Sequence, residues 1–273
     1  MSEAVHQAAT AESRGEAIGG GLGLAGKIVL VTGGVRGVGA GIAQVLADLG
    51  AHPVACARRP ADSGGPDVEF HACDVRDPDA VAGMIEQIVA RHGRLDGVVN
   101  NAGGSPFALA ADASDNYTAK IVALNLLAPM TVARAAHAVM ANQPDGGAIV
   151  NVSSVSGHRP SPGTAAYGAA KAGLDNLTTS LAVEWAPRVR INSVVAGPVQ
   201  TEASQLHYGD DEGIAAVGRT IPMGRMAQPA DIGNAVAFLL SPMSEYITGS
   251  TLTVHGGGEK PAFLDAANAG NDV

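Results

Sequence analysis

A doubly wound parallel α/β sheet of about seven strands, with helices on both faces of a single domain, is predicted for this 273-residue chain by three features. Short β-branched runs alternate with stretches of helical periodicity. No linker or break in composition divides residues 25–258. A glycine-rich turn joins the first strand to the first helix.

The strands are expected at Lys27–Thr32, Pro53–Ala57, Val68–Cys73, Gly97–Asn100, Ala148–Val152, Arg190–Val195 and Thr251–Val254, each a β-branched or apolar run bounded by turn residues. The helices are expected at Val38–Leu49, Pro78–His92, Asn116–Ala141, Thr164–Trp185 and Pro229–Leu240, where apolar residues recur at helical spacing. A strand-then-helix order calls for right-handed crossovers, which makes the sheet parallel. The stretch Gly197–Gln228 has no strong periodicity and is expected to be a long functional loop. Residues 1–24 and 259–273, rich in Ala, Gly, Asn and acids, are expected to be mobile tails.

Composition narrows the function classes. The chain is 46% hydrophobic and only 16% charged, so it has the apolar residues to bury a large core. Its formal charge of −9 gives no basic footprint for nucleic acid or an anionic membrane. The N-terminal stretch carries Glu3, Glu12 and Glu16 and lacks a basic region leading into an apolar one, which argues against a leader sequence. Without an uninterrupted apolar run of about 18 residues no membrane span is expected, and the expected location is cytoplasmic. Cys56 and Cys73 lie in strand-like runs and read as small buried hydrophobes, not as a disulfide.

The first strand runs into Thr32-Gly33-Gly34-Val35-Arg36-Gly37-Val38-Gly39, where a helix begins. Glycines there permit positive φ and close approach to a ligand, and the N–H groups of a new helix suit a pyrophosphate. The turn lacks the Gly-Lys-Ser/Thr ending of a triphosphate loop, and its position in the first βα unit points to a Rossmann-type dinucleotide site.

Further motifs follow in order: Cys73-Asp74-Val75, Asn100-Asn101-Ala102-Gly103, Asn125 in a long helix, Asn151-Val152-Ser153-Ser154, and Tyr167-Gly168-Ala169-Ala170-Lys171. With the glycine turn, this set is similar to the short-chain dehydrogenase/reductase family of the Tyr-x-x-x-Lys type, over residues 25–258. The resemblance implies an oxidoreductase that interconverts a secondary alcohol and a carbonyl by hydride transfer. It also implies that Asp74 and Val75 contact the adenine, that Asn101, Ala102 and Gly103 line the adenine ribose, and that Gly33, Arg36, Gly37, Val38 and Gly39 hold the phosphates.

The second strand ends Ala57-Arg58-Arg59, without the acid that would hold the ribose hydroxyls of NAD. Guanidinium groups at Arg58 and Arg59, with Arg36 in the glycine turn, suit a 2′-phosphate, so NADP(H) is expected over NAD(H).

Tyr167 and Lys171 stand four apart on one helical face, a spacing that allows the ammonium to favour the phenolate. In the resemblance Tyr167 is the general acid/base, Lys171 lowers its pKa and holds the nicotinamide ribose, Ser154 hydrogen-bonds the substrate oxygen, and Asn125 holds a water behind the lysine. Ser153 is the rival of Ser154, because neighbouring strand residues face opposite ways. Gly197, Pro198, Val199 and Thr201 follow the sixth strand, where Thr201 stands to hold the carboxamide. The family more often has Pro-Gly where this chain has Ala196-Gly197. His158, His207 and His255 have no metal-ligand spacing, and no metal is expected.

A small-molecule carbonyl or alcohol is thus the expected substrate, with walls from residues 104–109, 155–163 and 197–225. A 3-oxoacyl thioester, a lyase or epimerase reaction, and a non-enzymatic NADP sensor stay open. The Ala-rich helices Asn116–Ala141 and Thr164–Trp185, together with the resemblance, point to a homotetramer.

Overall fold

The structure, a computed structural model, describes residues 22–61 and 65–266. The expectations for residues 1–21 and 267–273 lie outside the described residues.

Seven parallel strands form one sheet: β1 Ile28–Thr32, β2 His52–Ala57, β3 Glu69–Ala72, β4 Gly97–Asn100, β5 Gly147–Ser154, β6 Val189–Ala196 and β7 Thr251–Val254. Their spatial order is β3-β2-β1-β4-β5-β6-β7, so the winding reverses between β1 and β4. In an open α/β sheet that reversal opens a crevice at the carboxyl ends of the strands, where ligands bind. The glycine turn after β1 and the Asn-Asn-Ala-Gly run after β4 both sit there.

The helices are α1 Gly37–Asp48, α2 Pro78–His92, α3 Asp115–Val122, α4 Ala128–Met140, α5 Ala165–Trp185, α6 Gln205–Tyr208, α7 Asp211–Thr220, α8 Pro229–Leu240 and α9 Ala262–Ala266. Side chains alternate along β1 as a two-residue period requires. Val29 and Val31 join one core with Ile42 and Leu46 of α1 and Ile232 and Val236 of α8. Ile28 and Leu30 join the opposite core with Val81, Ile85 and Ile88 of α2, Val132 and Ala136 of α4, and Leu181 and Trp185 of α5. Close crossing of α1 and α8 depends on glycine: a Cβ at Gly41 would stand 2.2 Å from the Pro229 Cβ. Both cysteines are buried and unpaired, and burial, with Cys73 beside it, pushes the Cys56 thiol up to about 12.

Four details depart from the sequence reading. The helix expected over Asn116–Ala141 is broken: a π turn at Ala123–Leu127 separates α3 from α4. Pro129 cannot donate to a carbonyl one turn back, and the Asn125 amide donates to the Ile121 carbonyl at 2.9 Å, competing with the backbone ladder. This 26-residue run is long and apolar enough to cross a bilayer, at mean hydropathy 1.3. It is instead a core element, packing on the sheet through Val132, Ala133, Ala136 and Met140.

The stretch after β6 is the second departure, since it carries α6 and α7 where a loop without regular structure was expected. Asp210 caps α7, its carboxylate accepting from the Gly213 N–H at 3.0 Å, and Asp211 and Glu212 stand in the first turn where the helix dipole favours acids. Third, Leu22 and Leu24, placed with the N-terminal tail, pack against the α1/α8 core. Fourth, Glu259 pairs with Arg159 at 2.6 Å and α9 follows, so residues 259–266 are structured.

Candidate active site

The glycine turn is dictated by contacts no larger residue could share. Gly33 has φ +66° and Gly37 φ +53°, the left-handed region. At Gly39 a Cβ would lie 2.2 Å from the Gly33 carbonyl oxygen and 2.4 Å from the Asn101 amide nitrogen. The turn and the run after β4 are locked together. Asn101 Nδ2 donates to the Thr32 carbonyl at 2.9 Å, while the Thr32 hydroxyl oxygen accepts from the N–H groups of Asn101 and Ala102, both at 3.0 Å. Val38 opens α1 beside Gly37.

At the next crest outward, Arg36, Arg58 and Arg59 are exposed. Asp74 is bound by Arg76, whose Nη2 and Nε donate to its carboxylate at 2.6 and 2.9 Å. The Arg76 hydrogen bond, ahead of the opposing effect of burial, holds the Asp74 carboxyl at about 2, and Arg58 adds to that pull. Val75, expected to line the same site, buries its side chain in the α2 core. Arg76 was not singled out in the sequence; its alternation with Asp74 along the chain was the available signal.

Ser154 ends β5 and Tyr167 opens α5. The Ser154 hydroxyl oxygen accepts from the Ser156 N–H at 3.2 Å, and the hydroxyl lies near enough to the Tyr167 phenol to lower its pKa. Ser153 is turned the other way, donating to Asp175 Oδ2 at 2.8 Å under α5. Strand alternation thus puts Ser154, and not its neighbour, beside the tyrosine.

Lys171 is almost wholly buried, with Nζ 5.6 Å from the centre of the Tyr167 ring and donating to the Val152 carbonyl at 2.7 Å. Burial lowers its pKa to about 8, opposed by the charge of Asp175 one turn on. Asp175 is itself buried. Its Oδ2 accepts from Ser153 and is 2.9 Å from His158 Nε2, while Oδ1 has no partner among the described residues. The Lys171-to-Asp175 spacing of one helical turn was legible and was passed over.

The expected lowering of the Tyr167 pKa is not found. Packing around the hydroxyl raises it first of all, the Ser154 hydroxyl pulls it down, and nearby Tyr208 raises it further. Lys171 aims its charge at a main-chain carbonyl, which explains the difference.

Asn125 is fully buried, and its amide is taken up by main chain: Oδ1 accepts from Gly104 N–H at 2.9 Å, and Nδ2 donates to the carbonyls of Gly104 and Ile121. Its side chain clamps the run after β4. A Cβ at Gly103 would meet Asn125 Oδ1 at 2.7 Å and Lys171 Nζ at 3.5 Å, so a glycine is required where these elements converge.

Gly197 donates to the Val254 carbonyl at 2.9 Å, and a Cβ there would collide with His255. Pro198 accepts from Ala227 N–H at 3.0 Å, and Val199 bridges to Ala227. The methyl of Thr201 lies 3.6 Å from where a Gly37 Cβ would be, so this segment folds over the glycine turn. The Thr201 hydroxyl accepts from Ala203 N–H at 3.3 Å. Tyr208 of α6 lies near enough to Tyr167 to act on its pKa, and the Ala108 N–H donates to the Gly163 carbonyl at 2.8 Å.

Comparisons with known proteins agree with this fold. A family model described as Enoyl-(Acyl carrier protein) reductase matches residues 33–259. The chain is 34% identical over 240 residues to the uncharacterized oxidoreductase MT0954 of Mycobacterium tuberculosis, covering 85% of this chain and 91% of that protein. It is 35% identical to the 3-oxoacyl-[acyl-carrier-protein] reductase FabG of Vibrio cholerae, covering 86% and 98%. The ligand-free aldohexose dehydrogenase of Thermoplasma acidophilum superposes with a TM-score of 0.81 at 32% identity, covering 86% and 94%. With a seven-stranded doubly wound sheet, a glycine turn at its switch point and matches over most of its length, the chain belongs to the short-chain dehydrogenase/reductase family of oxidoreductases.

Proposed function

We propose that the protein is an NADP(H)-dependent oxidoreductase that interconverts a secondary alcohol and its carbonyl. The observation that carries this reading is the meeting of Ser154, Tyr167 and Lys171 at the carboxyl end of β5, beside a turn shaped for a dinucleotide.

The residues present fit such a cofactor. Gly33, Gly37, Val38 and Gly39 would offer the phosphates a side-chain-free surface and helix N–H groups. Arg36, Arg58 and Arg59 would take a 2′-phosphate, with Asp74, the Val75 main chain, Asn101, Ala102 and Gly103 along the adenosine. Gly197, Pro198, Val199 and Thr201 would border the nicotinamide end. Bound there, the dinucleotide supplies or accepts the hydride.

Tyr167 gives the substrate oxygen its proton during reduction, or removes it during oxidation. Ser154 donates a hydrogen bond to the same oxygen and shares its developing charge. Lys171 holds the ribose and adds positive potential behind the phenol. Asn125 fixes the run at Gly104 and thereby keeps Gly103 open beside Lys171. Asp175, held by Ser153 and His158, offsets the cost of burying the lysine charge.

Two expected results bear on the finer points. Arg58→Ala is expected to weaken NADPH binding at least about tenfold while NADH changes little, because a charge-assisted guanidinium–phosphate contact is lost. Fluorescence titration with both nucleotides checks this, and equal or NADH-favouring constants in the wild type would remove the NADP assignment. Light scattering at micromolar concentration is expected to give the mass of a homotetramer. Exposed Leu127 at 53% and Val183 at 84%, on the π turn and α5, support such an assembly, and a single monomer peak would overturn it. Two buried unpaired thiols support a cytoplasmic location. A screen of ketones, alcohols and 3-oxoacyl thioesters, followed by nucleotide absorbance, tests the reaction class: absence of net hydride transfer with all of them would sink it.

A further inference from the structure

At the end of the sheet opposite the candidate active site, three histidines far apart in sequence converge on one carboxylate. His52 begins β2, Glu69 begins β3 and His92 ends α2, so all three lie at the amino ends of the strands. Parallel pairing of β2 with β3 brings the first two together, and α2, running back along the sheet, delivers the third. His92 Nε2 is 2.9 Å and His52 Nε2 3.4 Å from Glu69 Oε2, and the potential ligand atoms all lie within 4.8 Å of one another. The two imidazole rings are 4.7 Å apart. His71, two residues after Glu69 on the same face of β3, places its Nε2 2.8 Å from the other oxygen, Oε1.

From this geometry we propose that His52, Glu69 and His92 form a binding site for a divalent transition-metal ion of the zinc type. Zinc takes imidazole nitrogen and carboxylate oxygen at about 2.0–2.2 Å in a tetrahedron, which separates neighbouring ligand atoms by about 3.3–3.5 Å. The His52 separation of 3.4 Å matches that value and the His92 separation of 2.9 Å falls short of it by a few tenths of an ångström, while the His52 side chain, 49% exposed, is free to adjust. Glu69, only 10% exposed, is held in place by His71, the outer partner that orients a ligating carboxylate. Neutral imidazoles with their protons on Nδ1 present both Nε2 lone pairs to the ion.

Arg91 is the competing cation, with Nε 3.4 Å from Glu69 Oε2. Its side chain is 69% exposed, so solvent is open to it when an ion displaces it from Glu69. A hollow of about 580 Å³, lined in part by Glu69, His71, Gln87 and Arg91, adjoins Glu69 and gives an approach to its carboxylate. The ion would pin an edge strand to α2, and its place far from Tyr167 makes the role structural. Sequence spacing hid the site, because the ligands are separated by 17 and 23 residues.

The test uses tag-free, chelator-treated full-length protein titrated with zinc chloride by calorimetry, alongside thermal melting. One ion per chain at micromolar affinity or tighter is expected, with a higher melting temperature. His52→Asn and His92→Gln are each expected to weaken binding more than about 100-fold, and His71→Asn, outside the ligand set, about 10–100-fold. Cobalt(II) is expected to give a visible absorption band in the wild type that both ligand variants lose. Circular dichroism of the metal-free variants, matching the wild type, separates ligand loss from misfolding. No zinc uptake by the wild type at micromolar concentration overturns the site, as does wild-type binding by a folded His52→Asn/His92→Gln double variant.

Discussion

Tyr167→Phe is expected to cut turnover by about 10²–10⁴-fold while leaving dinucleotide affinity and the fold nearly unchanged. The ring keeps its place on α5, and the change deletes the hydroxyl beside Ser154. Removing a proton donor that acts only at the reacting oxygen lowers kcat and kcat/KM together. Alcohol oxidation by the wild type is expected to rise with pH, since the base works deprotonated. Packing holds the phenol above its ordinary value. With oxidised dinucleotide present the ionisation is expected below the free tyrosine value of about 10. That step in the profile is expected to vanish in the Phe variant. Retention of more than about a tenth of wild-type turnover, with chemistry rate-limiting, would falsify the proposed role.

Gly39→Ala is expected to abolish measurable dinucleotide binding and to lower stability by about 1–3 kcal/mol, or to prevent folding. The added methyl would stand 2.2 Å from the Gly33 carbonyl oxygen and 2.4 Å from Asn101 Nδ2, both parts of one hydrogen-bonded unit with Thr32. To relieve the clash the turn must move away from β4, which removes the N–H groups offered to phosphate. Gly83→Ala serves as the control, because a Cβ there meets nothing within 4 Å and the residue lies inside α2. Denaturant melts and nucleotide titration of the two variants side by side make the comparison. Wild-type affinity in the Gly39 variant would show that the turn does not hold the nucleotide.

Most of the sheet was legible because buried parallel strands are short β-branched runs, and Gly97–Asn100 and Thr251–Val254 lie where the pattern put them. β5 and β6 run longer than expected, since Ser153, Ser154 and Ala196 continue the pairing without looking like strand residues. The break at Ala123–Leu127 was hidden because Asn125 and Pro129 each act on the backbone through geometry that apolar periodicity does not record. Helix α7 was missed although Asp210, Asp211, Glu212 and Arg219 are ordinary terminal signals; with Ile214 and Val217 as its large apolar residues, the run was too short and too polar overall to stand out. At the site, the spacing of Tyr167 and Lys171 placed them correctly on one helix face. The same spacing could not reveal that the lysine ammonium bonds the Val152 carbonyl, or that Ser153 and His158 meet on Asp175.

The segment carrying α6 and α7 brings Tyr208 close enough to Tyr167 to act on its pKa, yet none of residues 200–220 belongs to either core cluster. Substitutions there change what the pocket admits at little cost to the sheet. If the proposed chemistry holds, the fold would divide its labour: proton transfer at the crest of β5 and the start of α5, and substrate preference in a graft that the scaffold tolerates. Relatives with matching catalytic crests are therefore expected to diverge first and furthest in this segment.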